Sequence, residues 1–388
     1  MKKIIFIINQ LRVGGVAKAL VELLRNIEGK YDISVLCFEK TGNFFNDIPQ
    51  NVKIINDIEY LEMTECSVTE LDKQGSKLKN VRRICSLWTK VFGKKYPAYY
   101  ITNKCGIIEG DYDVAIAFGH PMPDNMFCNL TSEVTLRCIR AKKKVIVIHC
   151  DFESYGGNSK YNRKIIKQFD VVSAVSESVG KAVVRCIPEV KSKMTVLRNC
   201  HDYDEIKRMA NIEPVNYTNT FNFISVARLS EEKGLERCIP IFKEVHDKGY
   251  DVSWHIVGDG PLRRTLQNDI VRYGVGRYVF LEGEQINPYR FMKNAGFLLV
   301  PSFHEAAPMV FDEAASLGIP IVSTKTLSAI EMVEHRNLGI VCENSKDGIT
   351  MGVLKAIETL DRNRIDCNYV ASNDKAIKEF NAIVEDEL

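Results

Sequence analysis

Short apolar runs recur along this 388-residue chain, each followed by a turn and then by a stretch of helical periodicity. Ile4–Ile8 opens the series, passes through Gly14 and Gly15, and gives way to a helix expected from Val16 to Ile27. Leu20, Leu23, Leu24 and Ile27 share one face of that helix, Gly29 closes it, and Ile33–Phe38 is the next run. An apolar run of this length between turn signals reads as a buried strand. Strand, glycine loop, helix and strand in succession make a Rossmann-like unit. The series continues through Asp113–Phe118, Lys144–Ile148, Val171–Val175 and Thr195–Leu197. It starts afresh at Phe221–Ala227 and runs on through Val252–Val257, Tyr278–Leu281, Phe297–Val300 and Ile319–Ser323. Between the two series, Cys200–Thr220 is polar, with Ile206 and Met209 as its apolar content, and reads as a connector. The length also favours two cores over one. The expectation is an α/β chain of two Rossmann-like domains, 1–200 and 221–370, joined by 201–220. A last segment, 371–388, holds a helix over Asn373–Glu385 with Ile377, Phe380 and Ile383 facing inward.

Composition narrows the function classes. With 45% apolar and 26% charged residues the chain has the make-up of a globular protein. A formal net charge of +2 gives no general attraction for nucleic acid, so any electrostatic argument is local. The twelve cysteines show no CxxC pair and no metal-ligand spacing, and Cys37 and Cys342 lie in apolar runs. Reduced thiols in a reducing compartment are expected, which points to the cytoplasm or the inner face of the membrane. MKKIIFII imitates a signal peptide, but Ile4–Ile8 is too short and Arg12 follows it, so it reads as a first strand. No run approaches the length of a membrane span.

Chemistry is densest in PSFHEAAPMVFDEAASLGIP, Pro301–Pro320. The strand before it turns through a loop carrying Glu305, and a helix is expected to start with Pro308 at its first position, where a missing N–H costs nothing. Met309, Val310, Ala314 and Leu317 carry the helix on, and Gly318 is its expected stop. Glu305 and Glu313 therefore flank a helix N-terminus, whose backbone N–H groups favour an anion such as phosphate. An anion site with an acid on either side to grip hydroxyls suits a sugar joined to a nucleotide. Upstream, Arg228 and Lys233 stand in RLSEEKG directly after a strand. Arg can chelate diphosphate oxygens while Lys acts as a point charge.

These stretches resemble a known family. Glu305 and Glu313 with the pattern around them are similar to the Glu-x7-Glu motif of retaining, nucleotide-sugar-dependent glycosyltransferases of family 4 type with the GT-B fold, and RLSEEKG is similar to their R-L-x-x-x-K-G. The resemblance implies two Rossmann-like domains facing each other across a cleft and transfer of a sugar from a nucleotide diphosphate, a UDP-sugar first, with retention. It implies that Glu305 orients the donor sugar, that Glu313 takes ribose hydroxyls, and that Arg228 and Lys233 grip the diphosphate with backbone N–H groups of Ala306, Ala307, Pro308 and Met309. His149, at the end of VIVIHCDF, resembles the family's strand-end histidine at the reacting centre; His120 ends another strand without such a motif. Gly14 and Gly15 stand where the family has a glycine loop at donor phosphate or acceptor, although Ala17 replaces its usual acid. Gln285 and Ile286 fall in the loop that borders the base. Thr324–Ser328 departs from the family's glycine-rich turn. EAAPMVFDEA resembles capsule and exopolysaccharide transferases, which implies a glycan or lipid-linked acceptor.

Two Asp-x-Asp matches, Asp111–Asp113 and Asp202–Asp204, raise a bound divalent cation. The first precedes a strand and the second lies in the connector, and the basic pair with the helix terminus already answers the diphosphate charge, so no metal and no cofactor are expected. Lys73–Lys104 carries nine Lys or Arg and no acid. Leu78, Val81, Cys85, Trp88 and Phe92 recur there at helical spacing, which fits either a basic amphipathic helix on an anionic membrane face or a helix packed on the sheet with a solvated basic side. Two rival functions stand beside transfer: a nucleotide-sugar epimerase, and a non-catalytic partner that stabilises another transferase.

Overall fold

The computed structural model describes residues 1–12, 14–73, 75, 77–361 and 369–385. Two compact units emerge, Met1–Cys200 with Asn373–Leu388, and His201–Ser372. The first contains strands β1 (Lys3–Ile8), β2 (Asp32–Cys37), β3 (Lys53–Ile55), β4 (Asp111–Ala117), β5 (Arg140–Ile148), β6 (Val171–Ala174) and β7 (Met194–Val196). They lie in the order β3-β2-β1-β4-β5-β6-β7, every pair parallel. Ile4, Ile5, Phe6 and Ile7 are all fully buried, as expected of a parallel strand covered on both faces. The helix Asp374–Glu385 belongs to this unit. Its Phe380 stacks on Phe6 with ring centroids 6.1 Å apart, and Arg198 pairs with its Glu379. Residues 386–388 of the expected last segment lie outside the described residues.

The second unit contains β8 (Phe221–Val226), β9 (Val252–Val257), β10 (Val279–Gly283), β11 (Phe297–Val300), β12 (Ile321–Thr324) and β13 (Gly339–Cys342). Their order is β10-β9-β8-β11-β12-β13, again all parallel. Trp254, Phe242, Phe223 and Phe297 form the aromatic centre of its core, with Trp254 stacked on Phe242 at 4.9 Å. Each unit thus has a doubly wound parallel sheet.

Several expectations change. Strands β3 and β13 were not legible as strands, and both are sheet edges: Lys53 and Ile54 face solvent and all of β13 is only half buried. Edge strands need no continuous apolar run. The first helix is Gly15–Asn26, one residue earlier than the periodicity suggested. Residues 201–220 are not a bare connector, because Tyr203–Ala210 is a helix whose Ile206 and Ala210 join the core of the second unit. The basic stretch 73–104 is not one helix. It divides into Lys79–Phe92 and Lys95–Cys105 at Gly93, whose φ of 79° few side chains tolerate; its Gln74 and Ser76 lie outside the described residues.

Candidate active site

Open parallel sheets bind ligands beyond the strand C-termini where the strand order reverses. In the second unit that point lies between β8 and β11. These strands pair through Phe297–Phe223 and Leu298–Ile224, and a loop follows each of them. One loop carries Arg228 and Lys233, the other Ser302 and Glu305, and they are stitched together. Phe303 N–H donates to the Glu232 carbonyl at 2.8 Å, and Lys233 Nζ reaches Glu305 Oε1 at 2.7 Å. Ser302 Oγ donates to that same oxygen at 2.7 Å. Arg237 lies over the Phe303 ring at 4.0 Å and joins the Pro301 carbonyl to Asn344. Arg228 is exposed and forms no ion pair among the described residues. Both bonds to Glu305 fall on Oε1, so Oε2 has no protein partner among the described residues.

Glycine makes the stitching possible. Gly234 has φ 59°, and a Cβ there would stand 2.5 Å from the Pro301 carbonyl oxygen. In GDGP, added carbons at Gly258 and Gly260 would meet the carbonyl oxygens of Ala227 and Leu229 at 2.0 and 2.5 Å. That turn therefore braces the Arg228 loop from behind.

The helix beyond Glu305 runs Met309–Ser316, and Gly318 follows it at φ 74° as its stop. Pro308 is not its first residue but its extended N-cap, with ψ 121°. Having no N–H, Pro308 cannot donate to an anion, which corrects its place among the expected backbone donors. Met309 is the first donor of the helix itself. Glu313 is buried on the second turn and accepts from Tyr289 Oη at 3.4 Å. Beside it, Asp312 forms a cluster that sequence reading missed. Arg336 Nη2 and Tyr369 Oη donate to Asp312 Oδ1 at 2.7 and 2.9 Å, His201 Nε2 lies 3.5 Å from Oδ2, and Tyr203 and Tyr369 share a hydroxyl contact of 2.8 Å. Burial alone would raise the Asp312 pKa, but His201 and Arg336 outweigh it and hold the carboxyl well below its ordinary range. One carboxylate so fastens both ends of the second unit.

Gln285 and Ile286 follow β10. Gln285 Nε2 is spent on the Glu282 carbonyl at 2.7 Å, and Ile286 is fully exposed. Glu282 in turn takes His255 Nδ1 at 2.7 Å. At the end of β12, Thr324 Oγ1 donates to the Ser302 carbonyl at 2.6 Å, while in the turn that follows the hydroxyls of Thr326 and Ser328 are buried without a partner among the described residues. The turn that departs from the glycine-rich pattern therefore braces Ser302 and holds two idle hydroxyls.

In the first unit the reversal lies between β1 and β4. Gly14 and Gly15 follow β1, His120 follows β4, and His149 follows the neighbouring β5. Neither glycine is pressed: a carbon added at Gly15 meets nothing within 4 Å, and one at Gly14 only the Arg12 carbonyl oxygen at 4.0 Å. His149 packs on Phe118 at 4.5 Å and His120 edge-on to Tyr155 at 4.9 Å. His149 Nε2 and both ring nitrogens of His120 are buried without partners among the described residues. Burial pushes His149 to about 3 and His120 to about 4, each helped by a neighbouring cation-forming group, so both rings are neutral at ordinary pH. The Asp-x-Asp pairs have structural work. Asp111 and Asp113 bind Arg140 and Lys142 at the start of β4, the opposite end of the strand from its ligand edge, and Asp202 caps the helix Tyr203–Ala210.

Residues 210–371 match the family model described as Glycosyl transferases group 1. An uncharacterized glycosyltransferase of Methanocaldococcus jannaschii is 30% identical over 164 residues, 41% of this chain and 40% of its own. A glycosyltransferase named for colanic acid biosynthesis in Escherichia coli (strain K12) is 31% identical over 169 residues, 41% of each chain. The match thus spans about two fifths of the length of these relatives. Among solved structures, Anabaena HepE in complex with UDP superposes with a TM-score of 0.64 at 16% identity, covering 100% of this chain and 98% of that one. The family match thus covers residues 210–371, within the second unit, while the likeness in fold to solved structures of the GT-B kind extends over the whole chain.

Proposed function

We propose that the chain transfers a sugar from a nucleotide diphosphate, a UDP-sugar first, to an acceptor hydroxyl of a glycan or lipid-linked glycan, with retention and without a metal ion. The observation that carries this reading is the shared oxygen of Glu305. Lys233 and Ser302 both bind Oε1, which fixes the carboxylate and leaves Oε2 for a donor-sugar hydroxyl. An ammonium has three N–H donors, and Glu305 uses one, which leaves two for phosphate oxygens. Arg228 has no competing ion pair and adds a planar fork for the same diphosphate. As the bond from the anomeric carbon to the phosphate oxygen breaks, the diphosphate gains charge. Cations placed before the reaction stabilise that charge most in the transition state. The acceptor oxygen then bonds to the same face of the carbon, and its proton passes to the departing diphosphate. Glu313 holds the ribose in this scheme, the N–H groups of Ala306, Ala307 and Met309 assist at the phosphates, Gln285 and Ile286 border the base, and His149 meets the sugar as a neutral ring.

UDP bound to HepE supports the donor base, and the colanic acid relative supports a surface polysaccharide as the product class. The test is thermal unfolding with UDP-, GDP- and ADP-sugars in EDTA, followed by Glu305→Gln in a turnover assay. A midpoint rise with one donor that is lost in Arg228→Ala, together with a fall of about 100-fold or more in kcat for Glu305→Gln, is the expected result. Undiminished turnover in Glu305→Gln would refute the assignment. No shift with any donor would favour the non-catalytic partner, and conversion of donor without acceptor would favour the epimerase.

A further inference from the structure

The helix Lys79–Phe92 has three faces where an ordinary surface helix has two. Leu78, Val81, Cys85 and Thr89 point inward to the core of the first unit. At 3.6 residues per turn, Ile84, Leu87, Trp88 and Val91 fall together on one outer flank, and Lys79, Arg83, Ser86 and Lys90 on the other. The apolar flank is not covered: Ile84 is 64% exposed, Leu87 65%, Val91 72% and Phe92 67%. After the turn at Gly93 the helix Lys95–Cys105 extends the same surface with exposed Tyr96, Tyr99 and Tyr100. Trp88 links the two helices, 5.0 Å from Phe92 and 6.1 Å from Tyr96 between ring centroids. The patch shares Trp88 and Phe92 with the stripe that sequence periodicity picked out, whereas Leu78, Val81 and Cys85 of that stripe serve the core.

A patch this large and continuous marks an interaction site. Its charge selects the partner. No acid occurs between residues 73 and 104, and Arg83, Lys90 and Lys95 are exposed without an ion pair among the described residues. A protein partner with an apolar face would need acids to match these cations. An anionic bilayer supplies both halves at once, with acyl chains for the aliphatic flank, phosphates for the cations, and an interface that suits Trp and Tyr rings. We infer that the outer face of this helix pair docks on an anionic lipid bilayer, with the apolar flank inserted and the basic flank at the headgroups. No helix among the described residues is long and apolar enough to cross a membrane, so the attachment is peripheral. It stands whether or not the transfer reading holds.

The chain carries its own probe, because Trp88 is in the patch while the other tryptophan, Trp254, is fully buried. The full-length protein is mixed with vesicles of phosphatidylcholine alone or with one quarter phosphatidylglycerol, and flotation and Trp88 emission are read. Binding to the anionic vesicles with a blue-shifted Trp88, and weak binding to the neutral ones, is the expected result. Arg83→Gln, Lys90→Gln and Lys95→Gln together lower the partition coefficient on the order of 100-fold. Leu87→Ser with Val91→Ser, both at exposed positions that leave the core intact, abolishes the blue shift. Absence from anionic vesicles at low salt would overturn the inference, as would binding that either set leaves unchanged. Self-association lost in Leu87→Ser/Val91→Ser, with vesicles ignored, would assign the patch to a second copy of the chain instead.

Discussion

Asp312→Ala removes the acceptor shared by Arg336 and Tyr369 and leaves a guanidinium that is only 31% exposed without its counter-ion. Breaking a buried pair by deleting one partner costs about 3–5 kcal/mol, mostly from the uncompensated charge. Asp312→Asn keeps the shape and one acceptor and should cost about 2 kcal/mol. Replacing both partners, as in Asp312→Leu/Arg336→Met, should recover all but about 1–2 kcal/mol, since no buried charge then remains. The assay is urea unfolding followed by Trp254, fully buried in the second unit, in a Trp88→Phe background that silences the other indole. Linkage gives an internal control. The folded pKa of Asp312 lies below its unfolded value near 3.9, so the unfolded state binds the extra proton. The stabilisation is therefore complete above about pH 5 and is lost as pH falls below about 4. The gap between wild type and Asp312→Ala should narrow as pH falls below about 4. A cost under about 1 kcal/mol, or a gap that persists undiminished at pH 3, would refute the claim that this carboxylate clamps the unit.

Lys233→Met and Arg228→Met should each weaken UDP binding about 10- to 100-fold by calorimetry, but only Lys233→Met also removes one of the two bonds that hold Glu305, so its kcat should fall further. Gly234→Ala, at φ 59° and against the Pro301 carbonyl, should cost about 1–3 kcal/mol in urea unfolding and weaken UDP binding as well. Gly15→Ala should leave stability unchanged or raise it by up to about 1 kcal/mol while reducing turnover. His120 is held neutral by burial, with its pKa lowered to about 4 from an ordinary 6.5. The unfolded state then binds the proton first, so stability falls as pH drops from 6.5 towards 4, by up to about 3 kcal/mol; His120→Phe should flatten that slope in pH-dependent unfolding.

What could be read from the sequence was whatever the chain keeps contiguous. RLSEEKG and the Glu305–Glu313 stretch were legible because each is one loop at the end of one strand, and the strands themselves are apolar on both faces. That those two loops meet follows from strand order, which residues do not announce singly. The Asp312 cluster was not legible at all: His201 and Tyr203, Arg336, and Tyr369 come from three separate places in the sequence and meet only in the fold. On the basic helix, local periodicity put Leu78, Val81, Cys85, Trp88 and Phe92 in one stripe and could not say that the first three serve the core while Trp88 and Phe92 lie on an exposed flank. Pro308 shows a finer limit. Helix-start statistics allow it at the first position, but extended backbone at ψ 121° makes it the cap and removes it from the donors.

Glycine marks the boundary between the two kinds of information. Gly234, Gly258 and Gly260 look in sequence like Gly14 and Gly15, small residues in turns after strands. In the second unit the reason is internal, for each has a carbonyl oxygen of a crossing loop within 2.5 Å of where a Cβ would sit. Substitution there must move the loop that carries Arg228 and Lys233. In the first unit the space is open, Gly14 is extended and Gly15 begins a helix that alanine would favour. Nothing among the described residues needs a glycine at either place. If the pair matters, the requirement comes from a molecule that approaches the backbone from outside, which is why Gly15→Ala should separate turnover from stability where Gly234→Ala cannot.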